Sequence, residues 1–103
     1  MLEHSRPVAF GWVDDDVSSA PGWDRARVSR FARRLGYRVM WPDERSVLSV
    51  AEQTRNAGAE VVVLPSPEHL GPVELNRVMD VADVETLSPR LSFARWSTPG
   101  TER

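Results

Sequence analysis

The first apolar stretch of the chain is Val8–Val13, with the sequence Val-Ala-Phe-Gly-Trp-Val, and it runs directly into Asp14–Asp16. A second stretch, Glu60–Leu64, reads Glu-Val-Val-Val-Leu and is apolar from Val61 onward. Short, continuous apolar runs are typical of strands that are buried on both faces, as the central strands of a parallel sheet are. We therefore predict that these two stretches form the two central strands of one sheet.

The rest of the chain supplies three helices and two more strands. Tyr37–Trp41 and Asp83–Leu87 alternate, which is typical of strands with one better-buried face. Helical apolar spacing predicts helices over Trp23–Leu35, from Ser46 as N-cap to Gly58, and over Val73–Ala82. The predicted inward residues are Val28, Phe31, Ala32 and Leu35, then Val47, Val50, Ala51 and Thr54, then Leu75, Val78, Met79 and Ala82. Gly36 follows the first helix as a predicted left-handed cap.

This order of elements predicts an α/β fold, a three-layer open sheet that is mainly parallel, with strand order 2-1-3-4. We assign residues 1–87 to this domain and residues 88–103 to a C-terminal extended arm or tail. Leu91, Phe93 and Trp96 make the tail apolar, so we expect Leu91–Trp96 to dock in an extended form. It would add an edge strand to its own domain, or cross to a second copy and form a homodimer.

Composition limits the classes of function. The net charge is -2, so bulk charge gives no argument for nucleic-acid or membrane-surface binding, and direct DNA binding stays open. The chain has no cysteine, which excludes disulfides, thiolate metal sites and cysteine nucleophiles. No apolar run is long enough to span a bilayer and Met1–Pro7 is polar, unlike a signal peptide, so we expect a cytoplasmic protein.

Two blocks of the chain resemble the N-terminal catalytic domain of serine recombinases, the resolvases and invertases. Phe10–Val13 and its polar loop are similar to that family's opening strand, Tyr-x-Arg-Val-Ser. Val61–Pro72 is similar to its second block, an apolar strand followed by Ser-x-Asp-Arg-Leu-x-Arg. The resemblance covers roughly Val8 to Leu87 and implies a resolvase-like fold.

All 13 basic residues are arginine, which is typical of GC-rich codon usage and would fit an actinobacterial source.

The same blocks depart from the family where its chemistry resides. The resemblance places the nucleophilic serine at Asp16 and the preceding arginine at Asp14. Ser66 is kept, but the Asp-Arg pair becomes Glu68 and His69, and the next arginine becomes a proline. Recombination needs a hydroxyl to link to DNA and guanidinium groups to neutralise phosphate. We therefore expect a pseudoenzyme without a cofactor. Its degenerate rim, at the carboxyl ends of the two central strands, consists of Asp14, Asp16, Ser66, Glu68 and His69. We expect a regulatory or binding module that acts through protein–protein contacts.

An alternative function uses the acids themselves. Asp14, Asp15 and Asp16 at the end of a central strand could bind Mg²⁺ in a small phosphate-processing enzyme, with Glu68 as the obvious further carboxylate. The simpler interpretation is a solvated loop whose aspartates lie near helix N-termini. His69 could act as a base or a ligand, but a lone loop histidine is more often a surface residue that makes hydrogen bonds.

Candidate partner-binding residues lie on the first helix and in the tail. Exposed aromatic side chains and arginines are the residue types that anchor protein partners. The candidates are Trp23, Arg27, Arg30, Arg34, Phe93 and Trp96. The simpler interpretation is a solvated helix face for the arginines and a packed side chain for each of the two tryptophans. Trp12 and Trp41 lie in predicted strands, so we assign them to the core.

Overall fold

The structure, a computed structural model, describes residues 6–96. The strands and helices follow one another in the order β1 Val8–Gly11, α1 Pro21–Arg34, β2 Arg38–Met40, α2 Val50–Asn56, β3 Ala59–Leu64, α3 Pro72–Val78, β4 Asp83–Leu87 and β5 Arg90–Phe93. A single 3₁₀ turn, Pro67–His69, lies between β3 and α3. Residues 1–5 and 97–103, which include His4 and the end of the proposed tail, lie outside the described residues.

The five strands form one sheet in the order β2-β1-β3-β4-β5. The first four strands are parallel, and β5 pairs antiparallel to β4. The predicted order 2-1-3-4 is therefore confirmed, with β1 and β3 in the centre. Their position follows from burial on both faces, because Phe10 and Val62 pack on one side of the sheet while Ala9 and Val61 pack on the other.

Helices cover both faces of the sheet. Val28 and Ala32 of α1 belong to one core cluster, together with Val61 and Val63 of the sheet. Residues of α2 and α3 form the other cluster with Phe10, Val62 and Val84. Each fully buried valine contributes about 1.5–3 kcal/mol relative to exposure, so the valine run of β3 makes a large contribution to the stability of the domain.

The predicted glycine cap of α1 is confirmed. Gly36 has a φ of 95°, in the left-handed region that glycine adopts without penalty. Its N–H donates to the Arg33 carbonyl and the Tyr37 N–H donates to the Ala32 carbonyl, a Schellman motif. The motif satisfies two terminal carbonyls of α1 and turns the chain directly into β2.

The prediction that Val47 and Leu35 face the core is wrong, because both side chains are exposed. Val47 is 99% exposed, because α2 begins later than predicted, after Ser49 rather than after Ser46. The Ser49 hydroxyl accepts from the Glu52 N–H, and the Glu52 carboxylate accepts from the Ser49 N–H, which completes a capping box. Leu35 is 51% exposed, because it is the C-cap residue at which the chain leaves α1.

The third helix is shorter than predicted and ends at Val78. Met79 and Ala82, which were predicted to lie within it, are nevertheless buried in the core cluster on the α2 and α3 side. The helical spacing therefore identified the inward residues correctly but placed the end of the helix too late.

The tail docks on its own chain as far as it is described. Arg90–Phe93 forms the edge strand β5, and Phe93 packs against the core cluster on the α2 and α3 side. Beyond β5, the Trp96 N–H donates to the Met79 carbonyl at 2.8 Å. The Arg95 guanidinium contacts Asp83 at 3.3 Å and also donates to the Glu60 carbonyl. An added edge strand on the same domain was one of the two predicted arrangements.

Candidate functional site

The carboxyl ends of β1 and β3 bring two predicted rim residues into contact. The Asp14 backbone N–H donates to His69 Nδ1 at 2.9 Å. The Trp12 indole Nε1 donates to the His69 carbonyl at 3.0 Å. His69 is only 4% exposed. In open α/β sheets, ligands bind in the crevice between such central strands. Here the His69 side chain lies between the two loops and ties them together.

The expectation that His69 is a surface residue is therefore wrong. The 3₁₀ turn carries the side chain inward, where hydrogen bonds replace its contact with water. Because Nδ1 accepts a hydrogen bond, the neutral imidazole carries its proton on Nε2. Nδ1 is thus occupied by a backbone donor and is not free to accept a proton from a substrate. His69 holds the rim in shape.

The three rim aspartates do not converge on a common point: Asp14 and Asp15 have separate partners, and Asp16 is exposed. Asp14 Oδ1 accepts from the Asp16 N–H at 2.9 Å, and the Asp14 carbonyl accepts from Val17 and Ser18, so this residue organises its own turn. Asp15 forms an ion pair of 2.9 Å with Arg25 of α1. The Asp16 residue is exposed. Within residues 6–96, no three His, Cys, Asp or Glu residues form a group that could hold a metal ion.

Ser66 and Glu68 lie on the other side of the rim. Ser66 directly precedes the 3₁₀ turn, and Glu68 lies within it. The Ser66 carbonyl accepts from the His69 N–H at 3.3 Å, which helps to close the turn. Glu68 is exposed, and a hydrogen bond from its own backbone N–H, together with the nearby Ser66 hydroxyl, lowers the pKa of this carboxyl. The turn therefore keeps a carboxylate at the position of the family's aspartate, but it holds His69 where the resemblance would require an arginine.

Four predicted partner-binding residues share one face of α1. Trp23, Arg27, Arg30 and Arg34 are spaced at i, i+4, i+7 and i+11. We call these four residues the α1 stripe. Trp23 is 64% exposed, and Arg30 and Arg34 are exposed as well. Among residues 6–96, neither Arg30 nor Arg34 has an ion pair.

A groove of about 230 Å³ runs along the α1 stripe. Its lining consists of Arg27, Arg30, Phe31, Arg34 and Leu87. The Arg90 guanidinium of β5 lies 4.6 Å from the centre of the Phe31 ring and forms an ion pair with Glu85. The β4–β5 hairpin thus adds a further arginine that spacing along the helix could not predict.

The other two partner-binding candidates lie elsewhere. Phe93 is half-buried in the core cluster on the α2 and α3 side. Trp96 is half exposed, but its indole N–H donates to Asn76 Oδ1 at 3.0 Å. Both residues therefore hold the tail against its own domain, and neither lines the groove beside the α1 stripe.

A second and larger groove was not predicted. Its volume is about 610 Å³, and it lies at the carboxyl ends of β1 and β2. Trp12 and Trp41, the strand tryptophans assigned to the core above, are half-buried, and each packs against a core cluster and also lines this groove. We call it the two-tryptophan groove. A signal for it existed in the sequence, since both indoles stand at the ends of neighbouring strands, but the expectation that strand tryptophans are core concealed it.

Gly11 makes room for Trp41, and this contact gives a prediction. A Cβ at position 11 would lie 2.7 Å from the Cζ3 and Cη2 atoms of Trp41. We expect Gly11→Ala to displace the indole and to lower the free energy of unfolding by about 1–3 kcal/mol. Urea denaturation measures the stability, and tryptophan fluorescence reports the displaced ring.

The matched control is Gly22→Ala, where nothing lies within 4 Å of the added Cβ. Because Gly22 is in α1, we expect this variant to be as stable as the wild type or slightly more stable. A Gly11→Ala protein with wild-type stability and fluorescence would show that Trp41 does not pack on Gly11.

Comparison with protein-family models, with curated proteins and with solved structures found no significant match. Among the helices in residues 6–96, none has the length and apolar character needed to cross a membrane.

Proposed function

We propose that the chain is a non-catalytic protein-binding module with a resolvase-like fold, and that it binds an acidic segment of a protein partner along the α1 stripe. The observation that carries this proposal is the stripe itself, in which an exposed tryptophan and three arginines share one helix face beside a groove. Aromatic residues and arginine are enriched at the energetic centres of protein interfaces.

The rim supports the non-catalytic part of the proposal. The positions that correspond to the recombinase nucleophile and its arginine hold Asp16 and Asp14, and carboxylates repel phosphate. The crevice between the β1 and β3 loops holds the His69 side chain, whose Nδ1 accepts the Asp14 N–H, while the His69 carbonyl accepts the Trp12 indole N–H. The alternative, a Mg²⁺-dependent phosphate-processing enzyme, requires convergent carboxylates, whereas Asp14 and Asp15 are engaged in separate contacts.

Charge favours a protein partner over a nucleic acid. The whole chain carries a net charge of -2, and affinity for nucleic acid depends on many phosphate contacts. Two arginines near the groove are already paired with acids, Arg27 with Asp24 and Arg90 with Glu85. Arg30 and Arg34 are thus the cations best placed to meet carboxylates of a partner, and Phe31 and Leu87 give an apolar contact beside them. We place this module in the cytoplasm.

Charge reversal on the stripe tests the binding proposal. The probe is a fluorescein-labelled, capped peptide with several glutamates around one phenylalanine, and binding is followed by fluorescence anisotropy. We expect Arg30→Glu/Arg34→Glu to weaken binding roughly tenfold or more, because repulsion replaces attraction. The wild-type affinity should also fall as salt is added.

The matched control is Arg33→Glu/Arg55→Glu, which changes the net charge equally at exposed positions outside the groove. It should bind nearly as well as the wild type. A second control peptide replaces every glutamate with glutamine. If both double variants lose affinity equally, net charge alone governs binding and the α1 stripe is not the site.

Catalytic silence is a separate prediction. Incubation with recombination-site DNA should produce neither strand cleavage nor a covalent protein–DNA adduct, since the nucleophile and its arginines are replaced. Denaturing gel electrophoresis and mass spectrometry detect such products. Recovery of a phosphoserine-linked adduct would overturn the non-catalytic assignment.

A further inference from the structure

The two-tryptophan groove is far larger than the groove beside the α1 stripe. Its volume of about 610 Å³ falls within the range of small-ligand sites. Its walls come from the carboxyl ends of β1 and β2, from α1, and from the segment that leads into α2. The groove lies beyond the carboxyl ends of the strands, the edge at which open α/β sheets bind ligands, but beside β1 and β2 and not at the switch point between β1 and β3. The binding proposal for the α1 stripe makes no use of it.

The lining of the groove is aromatic and acidic. It combines the indoles of Trp12 and Trp41 with four carboxylates and one guanidinium. The carboxylates are Asp14, Asp15, Asp43 and Glu44, and the guanidinium is Arg25. Arg25 is paired with Asp15, so it balances only one of the acids. The lining is therefore negative around two indole rings.

The two acids at the β2 end of the groove make no short ion pair, although the Asp43 carboxylate accepts the Arg45 backbone N–H at 3.0 Å. The Asp43 carboxylate lies 3.7 Å from the exposed Arg45 guanidinium, a long contact that water weakens. Glu44 is exposed and has no ion pair within residues 6–96. Both carboxylates can therefore meet the charge of a ligand without first breaking a strong ion pair.

We propose that the two-tryptophan groove binds an organic cation with a guanidinium or ammonium group. Indole faces attract such groups, and the carboxylates supply the opposite charge. The surrounding apolar walls suit the alkyl stem of such a ligand. The cation is the side chain of a peptide or a free small molecule, and both present the same chemistry.

Nuclear magnetic resonance of the indole N–H groups tests this site residue by residue. The probe is N-acetyl-arginine methylamide, and the control is the citrulline equivalent, in which a neutral urea replaces the guanidinium. We expect a dissociation constant on the order of 1 mM, with the citrulline compound about tenfold weaker. The indole signals of Trp12 and Trp41 should shift, whereas those of Trp23 and Trp96, which lie outside the groove, should not.

A pair of double variants tests whether the negative charge of the two carboxylates at the β2 end of the groove contributes to binding. Asp43→Asn/Glu44→Gln should weaken binding of the arginine compound about tenfold. The amide oxygen of an asparagine at position 43 can still accept the backbone N–H of Arg45, as the Asp43 carboxylate does now, so the turn is kept. The matched control, Asp80→Asn/Glu60→Gln, removes two exposed acids outside the groove and should bind like the wild type.

The source of the cation is distinguished by a second ligand, a capped pentapeptide of glycines with a central arginine. Tighter binding of the pentapeptide than of the single residue identifies a protein side chain as the ligand, and equal binding identifies a free cation. Either result supports the site. The proposal is overturned if neither ligand shifts the Trp12 and Trp41 signals, or if the citrulline compound binds as well as the arginine compound.

Discussion

Replacing His69 with leucine is expected to lower the free energy of unfolding by about 2–3 kcal/mol. Leucine has a similar volume, so the core stays filled, but the Asp14 N–H loses the acceptor that now lies 2.9 Å away. An unpaired and partly buried donor costs its full desolvation penalty. Urea denaturation followed by far-ultraviolet circular dichroism measures the change.

The matched variant is His69→Asn. Asparagine Oδ1 stands the same number of bonds from the backbone as histidine Nδ1, so it can accept the same N–H. We expect His69→Asn to recover about half of the loss, since the amide is smaller than the ring. Equal stability of the asparagine and leucine variants would contradict the role of the hydrogen bond. Wild-type stability in both would show that His69 does not hold the rim.

Removing the residues after Pro89 is expected to cost about 3 kcal/mol or more in stability. The truncation deletes β5, the strand that pairs with β4. The pairing begins with Leu87 opposite Arg90 and ends with Val84 opposite Phe93. It also removes Phe93 from the core and the Trp96 bond to Met79. Thermal unfolding measures the stability, and light scattering measures the mass in solution.

A shorter truncation, after Trp96, is the control for this prediction. It removes only residues 97–103 and keeps every contact of β5 and Trp96 described above, so its melting temperature should remain close to that of the full chain. A fall in mass on removal of β5 would reveal strand exchange between copies. If the longer truncation keeps both its stability and its mass, the edge strand contributes nothing to the domain.

The centre of the sheet was predictable because burial on both faces leaves a direct mark in the sequence. Val61–Leu64 contains no polar residue, and all four side chains are buried. The alternation of Asp83–Leu87 likewise matches the alternating burial of β4. These patterns depend only on which side of a strand each residue faces. Gly36 was predictable for a similarly local reason, the left-handed cap.

The start of α2 could have been predicted from a closer look at its caps. Ser46 and Ser49 are both good N-caps, but only Ser49 is followed three residues later by a glutamate. The spacing of Val47 within the apolar pattern favoured the earlier start, although this side chain contacts no core. The capping box at Ser49 therefore determines where α2 begins, and the apolar spacing that includes Val47 does not.

The sites were less predictable because tertiary contacts create them. The burial of His69 depends on Trp12 and Asp14, which are 57 and 55 residues away in the chain. The helical spacing of Arg27, Arg30 and Arg34 was visible in the sequence, but their groove also needs Leu87 from the hairpin. Sequence spacing within one element can be read directly, whereas juxtaposition between elements cannot.

The central claim is that the chain binds an acidic protein segment on the α1 stripe and not at the rim. The most direct measurement is a titration of the wild-type protein with the acidic peptide while the four indole N–H signals are recorded. We predict that the Trp23 signal shifts in a saturable way, while the signal of Trp12, whose indole N–H is held by His69, stays in place. Shifts at Trp12 and Trp41 with none at Trp23 would contradict the claim and place binding in the two-tryptophan groove.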